Sequence, residues 1–202
     1  MNTNIYGNYD NVADVEISTL KSNTIHDNVT LDKVVYNAKD PNDEKSLEHI
    51  LLSFKKVDSK TSVSMYNHKI LPLRRWDNMT DEAYTQSITD WNSFTKHIIT
   101  KFDIDFEVLK AQTAASTSFA EYATKYIALI TPKLDGRLFY LKLVEKNGYT
   151  NMPKYPKFLQ PMSEGVCTLS FTAYENKQML KTNAPASGEV VIDEIDDLDI
   201  LD

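Results

Sequence analysis

RLFYLKLVEKNGYTNMPKYPKF, residues 137–158, decides how the chain is read. Leu138, Tyr140 and Val144 alternate with Phe139, Leu141 and Leu143, as in a strand with apolar side chains on both faces. Asn147-Gly148 then supplies a tight-turn signal. The stretch also holds Arg137, Lys142, Lys146, Lys154 and Lys157 against one acid, Glu145. Phe139, Tyr140, Tyr149, Tyr155 and Phe158 lie among them. Cations interleaved with rings suit a polyanion that carries flat bases, since ammonium and guanidinium groups meet phosphates and rings stack on bases. The same residues also suit an ordinary two-faced strand, with Phe139 and Phe158 in the core.

Upstream the chain reads as strands and then helices. Residues 29–37 alternate, with Val29, Leu31 and Val35 on one face and Thr30, Asp32, Val34 and Tyr36 on the other. Further strands are expected over 47–57, with Ile50, Leu52 and Phe54 on one face, and over 62–71, ended by Pro72. Leu73-Arg74-Arg75-Trp76 follows as a basic and aromatic corner. The period then changes: Tyr84, Ile88, Trp91, Phe94, Ile98 and Phe102 form a helical stripe, capped by Thr80 ahead of Asp81 and Glu82. Helix resumes over 106–111, and again after Thr117 with Phe119, Tyr122, Tyr126 and Ile130. Downstream of the aromatic stretch, Cys167, Leu169 and Phe171 alternate with Thr168, Ser170 and Thr172, which predicts a last strand over 166–174.

Three strands, a helical section and two more strands is the chain order of an OB-fold, a five-stranded Greek-key barrel that commonly binds oligonucleotides or oligosaccharides. The helical section, about 80–130, is longer than the usual single helix. The expected fold is therefore α+β, mostly β: an OB-like barrel with an enlarged helical section between its third and fourth strands. The expected organisation is a flexible arm over 1–24, with strand character near 15–20, and an OB-like domain over 25–176. A linker over 177–188 and an acidic tail over 189–202 follow.

The tail explains the charge. The chain carries −7, yet EVVIDEIDDLDILD at 189–202 holds seven acids and no base. Removing these seven from the 29 acids leaves 22, equal to the 22 Lys and Arg. Such asymmetry marks an interaction segment. The candidate partner-binding residues are Asp193, Glu194, Ile195, Asp196, Asp197, Leu198, Asp199, Ile200, Leu201 and Asp202. A single cysteine, Cys167, leaves no internal disulfide and fits a reducing cytoplasm. No apolar run reaches the roughly 20 residues of a membrane span, and residues 1–16 do not read as a secretory signal.

Ile25-His26-Asp27-Asn28-Val29-x-Leu31 resembles the opening of the first strand in a group of bacteriophage single-stranded-DNA-binding proteins. Leu141-Lys142-Leu143-Val144, Gly148-Tyr149-Thr150 and Pro153-Lys154-Tyr155 resemble a later part of the same proteins. The resemblance spans about residues 24–160. It departs at Thr24, where a glycine is expected. The acidic tail is similar to those of bacterial and phage single-stranded-DNA-binding proteins at large. The resemblance implies a tail that recruits replication and repair proteins and competes with DNA. Those tails often end in an aromatic residue, whereas this one ends Ile200-Leu201-Asp202, so no particular partner carries over.

Enzyme readings find little support. His26, His49, His68 and His97 are scattered without metal-ligand spacing, the five glycines form no phosphate loop, and no nucleophile-elbow motif is present. The expectation is a non-catalytic binder of single-stranded DNA, with RNA as a second candidate, needing no cofactor and no metal. Tyr140, Tyr149, Tyr155 and Trp76 are the candidate stacking residues. Arg74, Arg75, Arg137, Lys142, Lys154 and Lys157 are the candidate phosphate contacts. The alternatives are a phage structural or packaged protein acting through protein–protein contacts and a carbohydrate-binding module.

Overall fold

The structure, a computed structural model, describes residues 16–59, 62–153 and 157–182. It is a mixed α+β fold with a seven-stranded sheet and four helices. The strands are β1 Glu16–Thr19, β2 Thr24–Asn37, β3 His49–Val57, β4 Ser62–Ile70, β5 Phe139–Lys146, β6 Tyr149–Asn151 and β7 Leu159–Pro161. The helices are α1 Asp81–Thr100, α2 Phe106–Thr113, α3 Phe119–Ile130 and α4 Ala173–Thr182.

The sheet runs β1-β4-β3-β2-β5-β6, and β7 pairs with β5 as well. β2, β3 and β4 form an antiparallel meander. β5 returns antiparallel to the first part of β2, with Ile25 opposite Lys142. β7 adds antiparallel to β5, with Tyr140 opposite Gln160. β1 lies parallel to β4, with Ile17 opposite Val63, which builds the expected strand character near 15–20 into the sheet.

One face of the sheet packs on the helices. Leu31, Val34, Ile50, Leu52, Phe54, Phe139, Leu141 and Leu143 point inward against Ile98, Ile99 and Phe102, Leu109 of α2, and Ala123, Tyr126 and Ile130 of α3. Phe139 and Phe158 are both fully buried, so the core reading of these two rings is the correct one. The three helices start on side-chain caps, each satisfying an otherwise orphaned N–H. Thr80 accepts from Ala83 N, Asp105 from Glu107 N and Ser118 from Glu121 N.

Strict alternation fails in β2. The register shifts between Leu31 and Lys33, leaving Asp32 in a bulge. Past a bulge every side chain changes face. Val34 is consequently buried and Val35 only partly so, opposite to the simple alternation expected for this strand.

The strand expected over 166–174 does not form. Residues 165–172 have no regular structure, and the last strand is β7, upstream of them. Alternation alone makes no strand without a neighbouring ladder to join. Among the described residues, 166–170 make no backbone–backbone hydrogen bond and are held instead by the side chains of Gln160 and Lys142. The chain divides after Ser170 into a second unit. Within that unit Thr172 and Glu175 form a reciprocal capping box: Glu175 N donates to Thr172 Oγ1 at 3.2 Å, and Thr172 N donates to Glu175 Oε2 at 2.7 Å. That box starts α4, where strand and linker were expected.

Candidate nucleic-acid interface

β5 places its residues by parity. Phe139, Leu141 and Leu143 are in the core, so Tyr140, Lys142, Val144 and Lys146 face the other way. The turn to β6 has Asn147 at φ +55° and Gly148 at φ +79°, the left-handed pair that a two-residue hairpin requires. It sets Tyr149 opposite Lys146 and Asn151 opposite Val144. The outer face of β5 and β6 therefore gathers Tyr140, Lys142 and Tyr149 of the sequence-derived set and adds Lys146. Tyr149 is 74% exposed, which a packing role does not explain.

Lys142 does not stand free on that face. It is 3% exposed, and its Nζ donates to Ser170 O at 2.9 Å. In this conformation its ammonium group is committed to the chain's own backbone rather than offered to phosphate.

A second cluster forms where β4 runs into α1. Residues 71–76 have no regular structure and leave Arg74, Arg75 and Trp76 exposed, Trp76 at 62%. Arg75 pairs with Asp81 and lies over the Tyr84 ring, 5.5 Å from its centroid, so only part of its charge faces outward. Arg74 and Trp76 line an open groove of about 500 Å³ with Lys69, Met79, Trp91, Phe94, Met152 and Pro153. Met152 and Pro153 directly follow β6, so the groove reaches from the Arg74 corner to the strand that carries Tyr149.

Arg137 lies apart from both clusters. Its Nη1 donates to Lys101 O at 3.0 Å and to Asp103 Oδ2 at 2.8 Å, and its Nη2 reaches Asp135 Oδ2 at 3.5 Å. Asp103 raises its already high pKa, and Arg137 in turn lowers that of Asp135, first through its backbone N–H. A guanidinium held by two carboxylates and a carbonyl is a structural tie more than a phosphate contact. Lys157 is exposed, at φ +86°. Lys154, Tyr155 and the partner-binding residues 193–202 lie outside the described residues.

Three cations were missed by the sequence reading. Lys33 lies opposite Ser53, Leu51 opposite Lys69, and Lys55 opposite Thr30 and Met65. Because Leu52 and Phe54 point into the core, Lys33, Lys55 and Lys69 all lie on the outer face of β2, β3 and β4. None of the three forms an ion pair among the described residues. The signal was their phase against the inward residues: Lys55 and Lys69 follow from unbroken alternation in β3 and β4, and Lys33 only once the β2 bulge is known.

Beneath the groove lies a neutral aromatic layer. His68 stacks on Phe94 at 4.9 Å, Phe94 on Phe158 at 5.0 Å, and His97 meets Phe158 edge-on at 4.6 Å. Burial pushes both histidines down to about 4, so neither is cationic at neutral pH. These two histidines therefore add no charge beneath the groove at neutral pH.

Among the described residues no group of three or more His, Cys, Asp or Glu is placed to hold a metal ion, and no helix is long and apolar enough to cross a membrane. Comparison with protein-family models, curated proteins and solved structures returns no match.

Proposed function

We propose that the protein binds single-stranded DNA without catalysis and with little regard to sequence, in phage replication or recombination. The observation that carries this reading is the placement of Tyr140, Lys146 and Tyr149 on one outward sheet face; a separate groove between β4 and α1 holds Lys69, Arg74 and Trp76. Exposed rings are stacking platforms, and unpaired cations between them follow a phosphate backbone. Lys33 and Lys55 extend the positive surface across the same sheet. The host cytoplasm is the compartment that goes with this role.

An OB-like barrel is the fold that goes with the same reading. Its support is a three-stranded meander, a helical section, and a strand that returns to the first strand of the meander, with one more strand added to that. The acidic segment 189–202 would then recruit replication or recombination proteins and compete with DNA for the cations.

The test is a titration of labelled oligo-dT and of a duplex of equal length, each at two salt concentrations. Tighter binding of the single strand, weakening steeply with salt, is the expected result. Equal affinity for duplex, or none for either, would overturn it.

A further inference from the structure

The outer face of β5 and β7 is occupied by the chain itself. Lys142 and Gln160 point outward from the sheet, yet they are 3% and 4% exposed, and both hydrogen-bond to residues 166–170. Gln160 Nε2 donates to Val166 O at 3.1 Å, and Gln160 Oε1 accepts from Thr168 N at 2.8 Å and from Thr168 Oγ1 at 3.0 Å. Lys142 Nζ donates to Ser170 O at 2.9 Å.

Val166 is 86% exposed, Thr168 and Ser170 are exposed as well, Cys167 and Leu169 are half-buried, and none of the five residues of this strap enters the core. Few buried apolar contacts and no ladder hydrogen bonds characterise a segment that opens locally at low free energy. Gly165, at φ +95°, precedes it in a backbone conformation that favours glycine.

The groups beneath the strap match a nucleotide strand. An ammonium that meets a carbonyl oxygen forms a stronger, charge-assisted bond with a phosphate oxygen. A carboxamide that donates and accepts side by side has the hydrogen-bonding complement of a base edge. Tyr140, opposite Gln160 in the ladder, supplies a ring next to it.

We propose that residues 166–170 are a displaceable strap over part of the single-strand surface, and that bound single-stranded DNA takes its place, with phosphate on Lys142 and a base against Gln160 and Tyr140. This rests on the single-strand reading of the same face.

Cys167 lies in the strap and is the chain's one cysteine, so its alkylation by iodoacetamide reports on the strap alone. Saturating oligo-dT is expected to speed alkylation of the full chain several-fold. Thr168→Pro removes both donors to Gln160 and leaves Lys142 and Gln160 in place. It is expected to speed alkylation without DNA and to tighten oligo-dT binding about five-fold, the scale of one modest hydrogen bond. Adding Lys142→Gln to that variant should abolish the gain. Oligo-dT binding with an unchanged or slower alkylation rate, or Thr168→Pro affinity equal to wild type, makes the strap a fixed part of the fold and overturns this proposal alone. Absence of oligo-dT binding by every variant overturns the single-strand reading and this proposal together.

Discussion

The backbone N–H of Met152 donates to the phenolic oxygen of Tyr66 at 3.0 Å, joining the end of β6 to β4 on the other side of the sheet. The Tyr66 hydroxyl also lies 3.1 Å from His68 Nδ1. It is placed to accept from Met152 and donate to a neutral His68, and burial pushes its own pKa up to about 12. One hydroxyl thus ties the segment after β6 to β4 and to the floor of the groove.

Tyr66→Phe keeps the ring in the core and removes both bonds. The Met152 amide is left buried and unpaired, so a loss of roughly 1–3 kcal/mol in unfolding free energy is expected. Urea denaturation measures it. A change within error would mean that the bond contributes nothing to holding β4 and the segment after β6 together.

Acid should destabilise the fold through the same layer. His68 and His97 have folded pKa values of about 4, depressed from an ordinary 6.5 chiefly by burial. Between those values the unfolded chain binds protons that the folded chain does not, so stability rises with pH across the window and is lost on acidification from 6.5 towards 4. The contribution is on the order of 2 kcal/mol per histidine. Denaturation at pH 7 and pH 4.5 should show the loss, and His68→Phe should make it shallower. Equal slopes for both proteins would remove His68 from the account.

Stacking and stability should separate cleanly at two rings. Tyr149 and Trp76 are exposed, so Tyr149→Ala and Trp76→Ala should leave the melting temperature nearly unchanged. Each should weaken oligo-dT binding by roughly 1–3 kcal/mol, the usual contribution of a base-stacking ring. Full affinity in both variants would move the binding surface elsewhere.

Arg137 should behave in the opposite way. Its ties to Asp103, Asp135 and the Lys101 carbonyl predict that Arg137→Ala lowers thermal stability while changing oligo-dT affinity little. A large affinity loss with unchanged stability would restore it as a phosphate contact.

The contrast between Tyr149 and Arg137 shows what the sequence carries and what it does not. The helical stripe, the Thr80 cap and the Asn147-Gly148 turn are local signals, and each element they announce is present. Tyr149 follows from them, because a hairpin strand next to a turn is exposed. Arg137 and Lys142 do not, since their fates depend on Asp103 and on the Ser170 carbonyl, groups distant in sequence. The bulge at Asp32 is equally silent in an alternating pattern, yet it decides which of Val34 and Val35 enters the core. The 166–170 strap mimics a strand in composition, and only the Gln160 and Lys142 contacts reveal what it does.

The acidic segment offers the last test. Residues 189–202 carry seven acids together with Ile192, Ile195, Leu198, Ile200 and Leu201, apolar handles that a merely solubilising segment does not need. Under the proposed function, tethering would give these charges an effective concentration on the order of millimolar, at which they would compete with phosphate for cations of the DNA-binding surface. Truncation after Gly188 should tighten oligo-dT binding at low salt, and the gain should shrink as salt screens both interactions. Under the proposed function, the full-length protein should capture a replication or recombination partner and the truncated chain should not. Equal affinity for oligo-dT before and after truncation at low salt would end the competition idea. Partner capture that survives truncation would reduce the segment to a solubility device.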